Sequence, residues 1–223
     1  MKHISILKNP VQKYAWGSRT ALQSLLDWPQ PWKEPAAELW MGVHPKAPSK
    51  VEVDGDWRSL ADVISADPVS VLGADAAEQF SNRLPFLFKV LAADRPLSIQ
   101  VHPDMAQARE GFKRENRRNI SLDAPNRNYK DACHKPECLC AVTRFEAMKG
   151  FRAPEDILKL MDRVFVGTPI KELDPLRKEP NSLGLKCFFT SLVSMDFKRQ
   201  AQVVNEVVQG AQRFADEDPA FYW

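Results

Sequence analysis

Pro96 to Pro103 reads PLSIQVHP. Ile99 and Val101 alternate with polar residues at a period of two, the mark of a strand with one apolar side, so Ser98, Gln100 and His102 share the other side. Three polar groups on the inner face of a barrel strand are costly unless something binds them. A metal meets that need, with His102 supplying a ring nitrogen and Gln100 a carbonyl oxygen. Taken alone, the segment also fits an exposed strand face carrying a surface histidine.

A second segment, Tyr129 to Ala141 (YKDACHKPECLCA), packs Lys130, Asp131, His134, Lys135 and Glu137 into a turn that leads into an apolar strand. Pro136 biases Lys135 toward extended backbone, so Glu137 opens the strand, with Leu139 and Ala141 on its face. A carboxylate at the mouth of a strand is placed to be an oxygen ligand, and zinc accepts histidine nitrogen and glutamate oxygen together. A turn with surface charges is the alternative. Cys133, Cys138 and Cys140 fit no paired CxxC spacing, and Cys138 and Cys140 face away from Glu137, so they read as small buried residues rather than thiolate ligands. His44 lies in ELWMGVHPK and reads as a structural histidine before a proline, with a cavity-lining role as the alternative. His3 receives no role.

Outward from these segments, residues 1–152 show short apolar runs cut by Pro, Gly, Asn and Asp, at 37–41, 49–53, 84–91, 97–101 and 137–142. Each has strand length and ends in turn-forming residues, and many short strands predict a sandwich or barrel. Helices are expected at 59–71 and 105–116. Residues 153–223 change texture. Pro154 with Glu155 and Asp156 behind it opens a helix, a second is expected over 185–193, and a third over 196–214 carries Val203, Val204, Val207, Val208, Ala211 and Phe214 on one stripe. The chain is thus expected to be a β-rich body over 1–152 and a helical subdomain over 153–223.

The bulk properties are those of an ordinary globular protein, with 44% hydrophobic and 27% charged residues in 223. A formal charge of +2 gives no reason to expect a nucleic-acid or anionic-membrane surface. The basic run Lys113 to Arg118, broken by Glu115, reads as a solvated helix face. The N-terminus is too polar for a secretory signal and no run reaches membrane-spanning length, so the cytoplasm is the expected address. Four cysteines without a spaced framework are expected as free thiols there.

Together these segments resemble the type I phosphomannose isomerase family, zinc enzymes of the cupin superfamily. The blocks that carry the resemblance stand in family order: Tyr14 to Gly17 (YAWG), Ala37 to Gly42 (AELWMG) with His44 and Pro45, Leu84 to Leu91 (LPFLFKVL), Pro96 to Pro103, and Asn128 to Glu137. The resemblance implies a mainly β fold with helices, an incomplete cupin (jelly-roll) barrel followed by an α-helical insertion. It implies Gln100, His102 and Glu137 as ligands of one zinc ion. Trp16, Lys89, Ser98 and Lys135 would line the sugar-phosphate pocket, and Lys135 and His134 would be the catalytic groups.

The implied reaction interconverts mannose 6-phosphate and fructose 6-phosphate, a step of mannose and GDP-mannose metabolism. It moves a proton between C1 and C2 after ring opening, and so needs an acid/base group and stabilisation of an enediolate oxygen. Two departures stand out. Cys133 replaces the asparagine that usually precedes the HKPE histidine. The family's second zinc histidine and catalytic arginine lie after the helical insertion, so the chain reads as truncated, with a fourth protein ligand expected beyond residue 223 and a complementing C-terminal piece as an expected partner. Its last residues, Phe221, Tyr222 and Trp223, are three aromatics of the kind that look for a surface to bury against. A non-catalytic metal-binding cupin remnant or a sugar-binding module is the alternative to an enzyme. The 223-residue chain alone is expected to bind zinc weakly and to show little or no isomerase activity; near-normal turnover of mannose 6-phosphate by the purified chain would defeat that expectation.

Overall fold

In the computed structural model, which describes residues 4–28, 32–167 and 170–217, the short apolar runs pair into two three-stranded antiparallel sheets. The strands are β1 (Leu7–Lys8), β2 (Val11–Gln12), β3 (Glu38–Met41), β4 (Lys50–Val53), β5 (Asp56–Ser59) and β6 (Phe88–Leu91). One sheet has the order β1-β4-β5 and the other β2-β3-β6. Strands β4 and β5 meet through Asp54 and Gly55, whose φ values of 53° and 88° suit the two-residue turn that matches strand twist.

Helices interleave with these strands: α1 (Ala21–Leu26), α2 (Leu60–Ala66), α3 (Pro68–Leu72), α4 (Ala74–Gln79) and α5 (Met105–Arg117). The helix expected over 59–71 is two helices, because Pro68 has no N–H to continue α2. Asp67 instead caps α3, its side chain accepting the Ser70 amide at 3.1 Å. The backbone divides into two compact units, Met1–Glu137 and Cys138–Trp223.

In the first unit, β3 and β6 run antiparallel in the register Glu38 to Leu91, Leu39 to Val90, Trp40 to Lys89 and Met41 to Phe88. Side chains alternate across a sheet, so Leu39, Met41 and Val90 take one face and join a core with Leu22, Ala36 and Ala92. Glu38, Trp40 and Lys89 take the other.

The second unit is helical: α6 (Pro154–Val164), α7 (Asp174–Lys178), α8 (Ser182–Val193) and α9 (Phe197–Glu217), with a 3₁₀ turn at Lys171–Leu173. Pro154 stands at the start of α6 with Glu155 and Asp156 in the first turn, as expected. Helix α8 begins three residues before the expected 185, because Asn181 accepts the Leu183 and Gly184 amides at 2.9 and 3.1 Å and caps it. Leu173 and Leu176 are fully buried among Val164, Phe165, Ile170, Phe188 and Val203, each contributing about 1.5–3 kcal/mol of apolar burial. Of the α9 stripe, Val203 and Phe214 are buried while Val204 and Val208 are exposed.

Three expectations change. Residues 97–101 and 137–142 form no strand, because no neighbouring strand among the described residues gives their backbone a ladder, and Ile99 and Val101 are 84% and 87% exposed. Of the run 84–91 only the β6 residues pair. Cys133, Cys138 and Cys140 are exposed free thiols rather than buried residues, since Cys138 and Cys140 lie in the unladdered run 137–142 and Cys133 in the turn before it. The aromatic residues Phe221 to Trp223, and His3, lie outside the described residues. Among the described residues no helix is long and apolar enough to cross a membrane.

Gly210 lets α9 approach α6. A Cβ there would stand 2.1 Å from the Val164 carbonyl oxygen, a backbone atom that no rotamer change can move. Gly210→Ala is expected to lower stability: overpacking costs about 1–3 kcal/mol, against a gain in helix preference of about 1 kcal/mol. A fall in the urea midpoint of the purified chain checks this.

Candidate functional site

The polar face of β3 and β6 becomes a cavity because the Tyr14 to Ser18 turn lies against it. Gly17 sits so close to Ala37 that a Cβ would be 2.6 Å from its Cα, Cβ and N. Only glycine there lets Ser18 donate to the Ala92 carbonyl at 2.8 Å while its own carbonyl accepts the Ala36 amide at 2.9 Å. Trp16 is held from both sides: its carbonyl accepts the Asp94 amide at 2.9 Å, and its ring stacks on Tyr14 at 5.6 Å. The result is a cavity of about 320 Å³ lined by Tyr14, Trp16, Glu38, Trp40, Lys89, Leu97, Ser98 and Gln100. Four of the residues singled out in the sequence, Trp16, Lys89, Ser98 and Gln100, therefore share one wall system.

His102 and Glu137 come together although 97–102 and 137–142 are not strands. His102 Nδ1 lies 3.6 Å from Glu137 Oε2. Among the described residues no group of three or more His, Cys, Asp or Glu side chains is gathered for a metal. The donor set is instead one imidazole and one carboxylate, with the Gln100 amide, two residues before His102 in the chain, on the cavity wall, and nitrogen with oxygen donors suits zinc. The residues present fit the ion.

Lys135 is tied to its own turn. Its ammonium is 3.3 Å from Asp131 Oδ2, while Asp131 Oδ1 accepts the Cys133 amide at 2.9 Å. One carboxylate thus closes the turn at Cys133 and holds the lysine. His134 is exposed and is not among the cavity-lining residues.

The amino-acid pattern and the fold agree with known proteins. A family profile for the catalytic domain of type I phosphomannose isomerase matches residues 4–154. The chain belongs to the type I phosphomannose isomerase family. Mannose-6-phosphate isomerase of Escherichia coli (strain K12) is 44% identical over 89% of this chain and 50% of that protein. The enzyme of Salmonella typhimurium is 43% identical over the same shares. A solved structure of the S. typhimurium mannose 6-phosphate isomerase, bound to substrate (fructose 6-phosphate) and zinc, superposes with a TM-score of 0.83 at 40% identity. It covers 96% of this chain and 53% of that chain. The chain spans about half the length of the curated relatives it matches. Together with the two sheets and interleaved helices, these likenesses bear out the cupin fold class.

Of the four cavity residues that sequence reasoning passed over in this phosphomannose isomerase family member, Tyr14, Glu38, Trp40 and Leu97, two are ionisable. Glu38, 6% exposed, accepts from Trp40 Nε1 at 2.6 Å and pairs with Lys89 Nζ at 3.4 Å. A lone acid inside the apolar run AELWM was the available signal, because an acid is rarely buried unless paired. Tyr14 is the other. Burial, and then the charge of Glu38, raise its phenol above the usual tyrosine range.

His44 is half-buried against the cavity wall, its ring 4.5 Å from that of Trp40, and its Nδ1 accepts the Lys46 amide at 3.2 Å. Burial lowers its pKa, and the charges of Lys46, Lys135 and Lys89 lower it further against Asp131. The neutral ring is therefore favoured by folding. The stability this gives is present above the unfolded histidine value, about 6.5, and is lost as pH falls through the folded pKa. A proton NMR titration is expected to find His44 below the usual histidine range, with Lys46→Gln raising its midpoint more than Lys135→Gln.

Proposed function

We propose that this chain carries the zinc-binding and sugar-phosphate-binding part of an aldose-ketose isomerase that interconverts mannose 6-phosphate and fructose 6-phosphate. The observation that carries the reading is the convergence of Trp16, Lys89, Ser98 and Gln100 on one cavity in a chain of this family. The relative that holds fructose 6-phosphate and zinc supports the same ligands here. On this reading 1–152 is part of the catalytic cupin domain and 153–223 the helical subdomain.

Gln100, His102 and Glu137 would hold the ion, which when bound supplies a Lewis acid for the sugar oxygens. The remaining work falls to side chains. Lys89, with Glu38 beside it, presents an ammonium to an anionic group at the cavity. Trp16 offers an apolar wall to one face of the sugar, and Ser98 a hydroxyl to its oxygens. Lys135 and His134 carry the proton between C1 and C2, with Asp131 holding the Lys135 ammonium in place between turnovers. Four exposed free cysteines support a reducing compartment, the cytoplasm.

Zinc and fructose 6-phosphate titrations of the purified chain, by calorimetry, test the proposal. One zinc per chain is expected, lost in Glu137→Ala. Lys89→Ala is expected to weaken fructose 6-phosphate binding by roughly 10- to 100-fold, the size of one charge-assisted hydrogen bond. A folded chain that takes up neither ligand, or a Lys89→Ala variant with unchanged affinity, would sink it.

A further inference from the structure

The basic run Lys113 to Arg118 looks like a solvated face, yet the acid that interrupts it points inward. Glu115 is 5% exposed. Its Oε1 accepts both the backbone amide and the side-chain amide of Asn128 at 3.2 Å. Its Oε2 accepts the Tyr129 amide at 2.8 Å and lies 3.1 Å from Arg127 Nε.

Arg127, 4% exposed, directs its donors to the same stretch. It donates to the Tyr129 carbonyl at 2.6 Å, the Ile120 carbonyl at 2.7 Å and Asn116 Oδ1 at 2.7 Å. The Tyr129 ring then covers Gly111, where a Cβ would stand 2.5 Å from the ring carbons.

The other end of the same helix is fixed to the first metal-ligand candidate. Asp104, two residues past His102, caps α5. Its side chain accepts the Gln107 amide at 2.8 Å, and Gln107 Oε1 accepts the Asp104 amide at 3.1 Å. A 13-residue helix is thus joined at its start to His102 and along its second half to Tyr129, from which Lys130 to Glu137 run on directly. Residues 130–137 have no strand or helix of their own, so their placement has to come from such an attachment.

We infer that α5 is a strut that sets the register of the 130–137 segment against His102, with Glu115 and Arg127 as its positioning residues. Neither touches a ligand; they act through the backbone of Asn128 and Tyr129 on Lys135 and Glu137. The inference rests on the roles proposed above for those two residues. The carboxylate is suited to the task because it accepts from three donors at once while pairing with the Arg127 charge, which a neutral or shorter side chain cannot do.

The test uses the purified chain and two variants. Glu115→Gln leaves the Arg127 charge buried without its partner and is expected to fold poorly. The double variant Glu115→Leu with Arg127→Met removes both charges, keeps apolar volume and so keeps the fold, but leaves the Asn128 and Tyr129 amides without their acceptor. Hydrogen exchange read by mass spectrometry is expected to quicken at least about tenfold within residues 130–137 of the folded double variant at the Cys133 amide, which Asp131 accepts, with β3, β6 and α6 to α9 unchanged. Zinc affinity, measured by competition with a chromophoric chelator, is expected to fall by roughly 10- to 100-fold, as for other residues that orient a metal ligand from outside. Unchanged exchange in 130–137 overturns the strut, and faster exchange with undiminished zinc affinity overturns the positioning role. His102→Ala in the otherwise native chain separates the two readings. If that variant binds zinc like the native chain, the zinc assignment fails, and the exchange of 130–137 alone decides the strut.

Discussion

Because Gly17 carries no side chain, the YAWG turn rests directly on Ala37, and the cavity depends on that approach. With any larger residue the turn would lift, Ser18 would lose its bonds to Ala92 and Ala36, and Trp16 would leave the polar face of the sheet. The ladder between β3 and β6 then does the rest. A register with Trp40 opposite Lys89 puts one lysine, one acid and one aromatic on the side the turn covers, and sends Leu39 and Val90 to the core. A slip of one residue would exchange the two faces and fill the cavity with aliphatic side chains.

The chain solves the problem of buried charge the same way in three places. Glu38 is held by Trp40 and Lys89, Glu115 by Arg127 and two backbone amides, and Glu172 by a two-pronged bond from Arg199 at 2.9 and 2.8 Å. Each acid accepts enough donors to offset its loss of water. The settings differ in what they serve. Glu38 keeps Lys89 oriented at a cavity that water can enter, whereas Glu115 and Glu172 tie separate stretches of backbone and helix together. Removing one partner of such a pair is strongly destabilising, while replacing both with apolar groups can be neutral.

The legibility of the molecule follows the range of the forces involved. Helices α5, α6, α8 and α9 were readable within a few residues because their signals are local: an acid cap, a proline at the first turn, an apolar stripe at helical spacing. Strands β3 and β4 were readable from alternation and flanking turn residues. The runs at 97–101 and 137–142 carried the same alternation and formed no strand, because a strand exists only where another backbone pairs with it. Trp16, Lys89, Ser98 and Gln100 were picked out through the motifs that hold them, the first three as pocket residues and Gln100 as a metal-ligand candidate, and it is the fold that brings all four to one cavity. Glu38 and Tyr14 were not, since nothing local says which face of β3 will be closed over.

By itself the sequence determined the family, through five blocks in order, and the residue types that can hold zinc and a sugar phosphate. It also determined the helical texture after residue 152, since capping and helical periodicity need no distant partner. Only the tertiary structure decided that His102 and Glu137 meet at 3.6 Å, that Glu38 belongs to the cavity, and that Glu115 turns inward to hold Asn128 and Tyr129. These outcomes depend on contacts between residues 13 to 51 positions apart, and the closing of such loops is governed by packing that no local pattern encodes.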